Sequence, residues 1–233
     1  MSRPFVWQND SFYLSAFADA LQREGGPEMQ RLQRFYPLVQ AFVATQDLDG
    51  ETAEAGCLYG LASLLFCRYE RARRPDFRGS THHVFDSFRG LSFPDREDLQ
   101  TELPNRWISA LQEERRMTSE ATPQRGSFLE RTRSVLAEFP EIDFNVGWIP
   151  EVFATAPERR YRFVHIDVDL YAPVKASLEF FYPQLQPGGL IVIDDYGFTN
   201  WPGAKKATDD FAAAHGAPVI SLTTGNAIMM KRC

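Results

Sequence analysis

Four aspartates, Asp167, Asp169, Asp194 and Asp195, stand at the ends of two apolar runs, FVHID and LIVID, separated by an amphipathic stretch and the sequence Pro187-Gly188-Gly189. Carboxylates are seldom buried without a donor or a cation beside them. Two such runs in one strand–helix–strand unit lie side by side in a parallel sheet, which brings Asp167 to the Asp194-Asp195 pair at one sheet edge. Three carboxylates that close raise one another's pKa and repel unless a positive charge sits among them. A hard divalent ion such as Mg²⁺, with positions left for water or substrate oxygens, resolves the conflict, so Asp167, Asp194 and Asp195 are read as metal ligands. Asp169 shares a face with Asp167 by the two-residue strand period but lies past the strand end, where it can serve as general base toward a substrate. Taken singly, an Asp-Asp pair or an Asp-x-Asp reads as a turn or helix cap; their joint placement favours the metal.

A second group lies upstream. In EAGCLYG, Glu54, Gly56 and Gly60 fall where a first strand turns into its helix, and glycines there let a ligand approach the backbone. The close glycine pair of a pyrophosphate cradle is missing. Asp86 ends the next strand, the position that hydrogen-bonds ribose hydroxyls in nucleotide-binding sheets. Together these favour an adenosine-containing ligand that needs no pyrophosphate site, and S-adenosylmethionine fits. His165, two residues before Asp167, could be a ligand or base, but inside an apolar strand it reads first as a hydrogen-bonded core residue, as do His82 and His83, while His215 suits a helix C-terminus. Lys205 and Lys206 read as solvated, and Trp148, Trp201 and Phe88 as packing residues near the site.

The elements that position these groups follow from periodicity. Apolar residues recur at helical spacing over 11–24 and 28–45, predicting an N-terminal helical cap (1–46) on a single domain that spans 1–233. Strands are expected in the short apolar approach to EAGCLYG, in THHVFDSF ending at Asp86, in IDFNVGWIPEVF, and over 163–168 and 190–193, with helices between them and at 203–215, and a tight turn at Pro187-Gly188-Gly189. The runs PVISLTT and AIMMKR, joined by Gly225-Asn226, predict a C-terminal antiparallel hairpin. Residues 93–124 are rich in charge and too short for a core of their own, so they read as a lid insertion. Strands alternating with helices give an α/β fold with a doubly wound, mostly parallel sheet, whose ligands sit beyond the carboxyl ends of the strands.

Composition narrows the partners. The chain has 233 residues and a formal net charge of −6, which argues against nucleic acid or an anionic membrane as partner. Three cysteines, Cys57, Cys67 and Cys233, make neither a metal motif nor a disulfide framework. The opening residues lack a signal-peptide core, and no stretch is long enough to span a bilayer, so a cytoplasmic location is expected.

HIDVDLY, FYPQLQPGGLIVIDDYG, PGAKKATDDF, VFDSFRGL and EAGCLYG together resemble the macrocin O-methyltransferase (TylF-type) family of S-adenosylmethionine- and Mg²⁺-dependent enzymes, from about Glu54 to the C-terminus. The resemblance implies a class I methyltransferase (Rossmann-like) fold, with a metal on Asp167, Asp194 and Asp195 and Asp169 as base. It places Glu54, Gly56 and Asp86 at the cofactor, with Gly60, Ser87, the Gly126-Ser127 pair and Asp167 beside it. The acceptor would be a small-molecule hydroxyl, on a sugar or natural-product glycoside, and a homo-oligomer is expected. Two rival readings remain: a nicotinamide-dependent oxidoreductase on a similar sheet, and a non-catalytic module that only binds the cofactor.

Overall fold

A computed structural model describes residues 6–24, 30–99 and 127–232. They form helices α1 (Ser11–Glu24), α2 (Gln30–Ala44), α3 (Leu61–Arg73), α4 (Phe128–Val135), α5 (Tyr171–Gln184) and α6 (Pro202–His215). The strands are β1 (Glu51–Ala55), β2 (His82–Asp86), β3 (Asp143–Val146), β4 (Tyr161–Ile166), β5 (Leu185–Ile193), β6 (Val219–Ser221) and β7 (Ala227–Met230). They pair in the order β3-β2-β1-β4-β5-β7-β6. Only β7 runs against its neighbours β5 and β6, as the hairpin signal implied. Of the proposed lid, 93–99 is described and 100–124 lies outside the described residues.

Side chains alternate across the strands into two cores. Phe163 on β4 and Val192 on β5 face α1, α2 and α3, while Val164, Ile166, Ile191 and Ile193 face α5 and α6. Phe66 of α3 ties the first core together, stacking on Phe42 of α2 and meeting Phe163 edge to face. Each such aromatic pair adds about 0.5–1.5 kcal/mol beyond its area burial. This core fixes α2 against the carboxyl ends of the central strands.

Two expectations are corrected. Pro187-Gly188-Gly189 is no tight turn: β5 runs through it as an irregularity, with Gly188 at φ 79° and the pairing with β4 shifted between Tyr161 and Phe163. Gly189 is required there, since a Cβ would lie 3.0 Å from the Arg162 carbonyl oxygen. β4 also ends at Ile166, earlier than expected, which leaves Asp167 in the loop that follows it.

Below the first core, Arg162 is buried and its guanidinium pairs with Glu70, which also holds Arg74 at 2.8 Å. Removing one partner of a buried pair strands the other charge. Glu70→Ala should therefore cost about 3–5 kcal/mol of folding free energy, read from urea denaturation.

Candidate active site

Four non-glycine residues among those described have left-handed backbone: Leu58 (φ 48°), Phe88 (φ 52°), Asp169 (φ 59°) and Asp195 (φ 59°). They occupy the loops that follow β1, β2, β4 and β5, and all four line one cavity of about 330 Å³. Such strain clusters where a site over-determines the backbone. The cavity opens beyond the carboxyl ends of the parallel strands, with Trp148 and Trp201 also on its wall.

The acid cluster is built by the sheet ladder continuing past the strands. Asp167 donates its N–H to Ala55 O and Asp194 donates its N–H to Ile166 O, each at 2.8 Å. One oxygen from each of Asp167, Asp169 and Asp195 lie within 4.8 Å of one another, a set that holds Asp169 where Asp194 was expected. A ring nitrogen of His165 lies equally close to oxygens of Asp167 and Asp194. Burial first, and then Asp194 and Asp195, push the Asp167 carboxyl well above the usual carboxylate range. Asp195 is also raised by burial, partly offset by the hydrogen bond its side chain shares with Asp169.

The sequence reading missed two groups that answer this charge. Arg34 of α2 donates from Nε to Asp194 Oδ1 at 3.0 Å and from a terminal nitrogen to Asp195 Oδ1 at 2.6 Å. Burial alone would lower its pKa, but Asp194, Asp167 and Asp195 outweigh it, so the guanidinium stays charged. Asn226, in the β6–β7 hairpin, donates to Asp194 Oδ1 at 2.6 Å. Neither carries a local signal, because Arg34 sits in an ordinary amphipathic helix and Asn226 in a turn where Asn is expected anyway.

A cation still fits this cluster. His165 is fully buried, its Nδ1 is 2.9 Å from Glu54 Oε1, and its Nε2 has no hydrogen-bond partner. Arg34 reaches Asp194 and Asp195 but meets Asp167 only at longer range. The donor set of carboxylates around an orphaned nitrogen suits a divalent ion.

At the other end of the cavity, Asp86 organises both first turns. Its Oδ2 accepts from the N–H groups of Cys57 (2.8 Å) and Leu58 (3.3 Å), and its Oδ1 from that of Phe88 (2.7 Å). With three backbone donors on it, the Asp86 carboxylate keeps little acceptor capacity, and what remains is at Oδ1. Gly56 and Ser87 also line the cavity. Gly56 has a packing reason as well, because a Cβ would lie 1.9 Å from the Asp167 carbonyl oxygen. Glu54 and Gly60 lie behind the wall: Glu54 is 1 % exposed and accepts from Ser63 Oγ, and Gly60 packs on Leu136 and Thr132. Ser127 is exposed and caps α4 in a capping box with Glu130. Gly126 lies outside the described residues.

Residues 26–224 match the macrocin O-methyltransferase (TylF) family. The chain belongs to that family. It is by that membership an S-adenosylmethionine-dependent O-methyltransferase, and no motif of a nicotinamide enzyme is needed to explain it. A mycinamicin III 3''-O-methyltransferase of Micromonospora griseorubida is 29 % identical over 191 residues, which cover 81 % of this chain and 70 % of that one. A demethyldecarbamoylnovobiocin O-methyltransferase of Streptomyces niveus is 26 % identical over 191 residues, covering 79 % and 66 %. Among solved structures, the O-methyltransferase NovP superposes with a TM-score of 0.68 at 21 % identity, covering 92 % of this chain and 88 % of NovP. The fold is thus that of the class I O-methyltransferases. Among the described residues no helix is long and apolar enough to cross a membrane.

The Asp86 geometry carries a prediction for the TylF-family cofactor turn. Asp86→Ala strips the acceptor from three backbone amides, two on left-handed residues and one next to such a residue. Stability should fall by about 2–4 kcal/mol in urea, and S-adenosylhomocysteine should bind at least about tenfold more weakly by calorimetry, a loss of roughly 1.4 kcal/mol.

Proposed function

We propose that this chain moves the methyl group of S-adenosylmethionine to a hydroxyl of a small molecule, a sugar or a glycosylated natural product, with a divalent cation held by Asp167, Asp194 and Asp195. What supports this reading is the acid cluster at the cavity wall, where oxygens of Asp167, Asp169 and Asp195 lie within 4.8 Å of one another and those of Asp167 and Asp194 come as close to a ring nitrogen of His165, beside Gly56, Asp86 and Ser87. The relatives' names support natural-product acceptors. A homo-oligomer is part of the proposal and is open to light scattering.

Methyl transfer breaks the sulfonium S–C bond as the acceptor O–C bond forms, leaving S-adenosylhomocysteine and one proton to remove. The bound cation would lower the acceptor hydroxyl's pKa and orient its oxygen. Asp169 takes the proton; its left-handed turn aims the carboxylate into the cavity. Gly56, Asp86 and Ser87 border the cofactor, and the aromatic walls, Phe88, Trp148 and Trp201, exclude water around the donor sulfur. Reaction in line needs no protein nucleophile, and positioning supplies much of the rate. Arg34 holds Asp194 and Asp195 together when the cation is away.

The reading is tested by titrating chelator-stripped protein with S-adenosylhomocysteine and with NADH, each with and without Mg²⁺, followed by a screen of glycoside and sugar-nucleotide acceptors. Binding of the homocysteine product alone supports it, and NADH binding alone overturns it. Asp169→Asn should lower kcat by about 10²–10⁴-fold while leaving S-adenosylhomocysteine affinity unchanged. Arg34→Ala should cost about 2–3 kcal/mol of stability in chelator, and much less in saturating Mg²⁺, because the cation then supplies the missing charge. An equal loss in both buffers would remove Arg34 from this role.

A further inference from the structure

The family reading uses only carboxylates for the cation, yet the buried polar groups behind them extend further. A hydrogen-bonded chain runs under the sheet from Thr52 Oγ1 to His82 Nδ1 (2.8 Å), from His82 Nε2 to Ser63 Oγ (2.8 Å), from Ser63 to Glu54 Oε2, and from Glu54 Oε1 to His165 Nδ1 (2.9 Å). One proton arrangement satisfies every partner. The Ser63 hydroxyl donates to Glu54 and so accepts from His82 Nε2–H; Glu54, as a carboxylate, also accepts from His165 Nδ1–H. The neutral His165 ring then carries a bare lone pair on Nε2. That atom is buried and has no partner, in a residue that is 0 % exposed and brings a ring nitrogen within 4.8 Å of oxygens of Asp167 and Asp194. A lone pair facing two carboxylates is unfavourable unless a cation lies between them.

We propose that His165 Nε2 is a ligand of the cation, making the centre a mixed nitrogen and oxygen site, with Glu54 as the positioning residue that fixes the tautomer. This rests on the metal reading above and adds to it. A carboxylate that holds the distal nitrogen of a ligating histidine sets ring orientation and raises ligand basicity. The chain contains four histidines. His82 has partners on both ring nitrogens, His83 is held between Glu51 and Asp143, and the His215 ring bonds the Phe211 carbonyl. His165 alone among them combines an orphaned nitrogen with the acid cluster. Imidazole suits Zn²⁺ and the later first-row ions better than Mg²⁺, so the site should prefer a transition ion to a degree that an all-oxygen site would not.

The test is pulsed electron paramagnetic resonance of Mn²⁺ added to the chelator-stripped full chain, with Asp167→Asn as the control for the metal site itself. The expected spectrum shows modulation from a directly bound ¹⁴N nucleus, which changes when the protein carries [¹⁵N]histidine. In His165→Asn the modulation should vanish and Mn²⁺ should bind about tenfold or more weakly, with a smaller loss for Mg²⁺, and Glu54→Gln should weaken Mn²⁺ binding in the same range. Mn²⁺ bound to the wild-type protein in an Asp167-dependent way but without nitrogen modulation would overturn the role of His165 and leave the carboxylate site standing. No Mn²⁺ binding at millimolar concentration would overturn both. The wild-type spectrum decides the matter even if a His165 variant fails to fold.

Discussion

Repulsion among Asp167, Asp194 and Asp195 is the constraint around which the rest of the cavity is arranged. The parallel register pairs Ile166 with Ile193, so the next residues, Asp167 and Asp194, must emerge side by side. Two like charges about 4 Å apart at an effective dielectric near 20 cost about 4 kcal/mol, more than any single turn or cap returns. The sheet cannot relieve this without losing its ladder. Compensation comes instead from outside it: Arg34 from the helical cap and Asn226 from the antiparallel hairpin. The N-terminal helices and the C-terminal hairpin are thus tied to the site electrostatically as well as by packing.

The same loops carry backbone strain. A left-handed conformation costs a non-glycine residue roughly 1–2 kcal/mol, and four such residues surround one cavity. They persist because their neighbours are over-determined. Asp86 clamps the amides at positions 57, 58 and 88 with one carboxylate, and the ladder bonds at Asp167 and Asp194 fix the residues just before the other two strained turns. Asp86 is held with its pKa raised, by burial before anything else, and the three amides pull against that rise. A carboxylate in this position therefore shapes the cofactor turn first and contacts a ligand second.

The legible part of the molecule is the part written in local pattern. Helical spacing predicted α1, α2, α3 and α6, strand runs predicted the sheet, and Gly225-Asn226 predicted the edge hairpin. The clustering of Asp167, Asp194 and Asp195 followed from a strand–helix–strand unit alone. What could not be read depends on distance in the chain. Arg34 is separated from Asp194 by 160 residues, and nothing in QRLQRFYPLVQAF distinguishes it from a solvated arginine. Glu54 looked like a cofactor ligand because of its place before Gly56; its register opposite His165 turned it inward to the histidine. Pro187-Gly188-Gly189 looked like a turn because composition cannot tell a turn from a strand irregularity when glycine permits both.

The described start of the 93–124 segment is anchored to the turn that carries Asp169. Asp98 is buried and accepts from the N–H groups of Tyr171 and Asp95, and burial pushes its carboxyl up to about 6. It fits there because Gly203, near the start of α6, has no Cβ; one would lie 1.8 Å from Asp98 Oδ1. Tyr171 opens α5 directly after Asp169 and Leu170, and Leu170 packs with Leu91 and Trp201. The turn that aims the proposed base is therefore the turn that anchors the segment, through one hydrogen bond and one apolar contact.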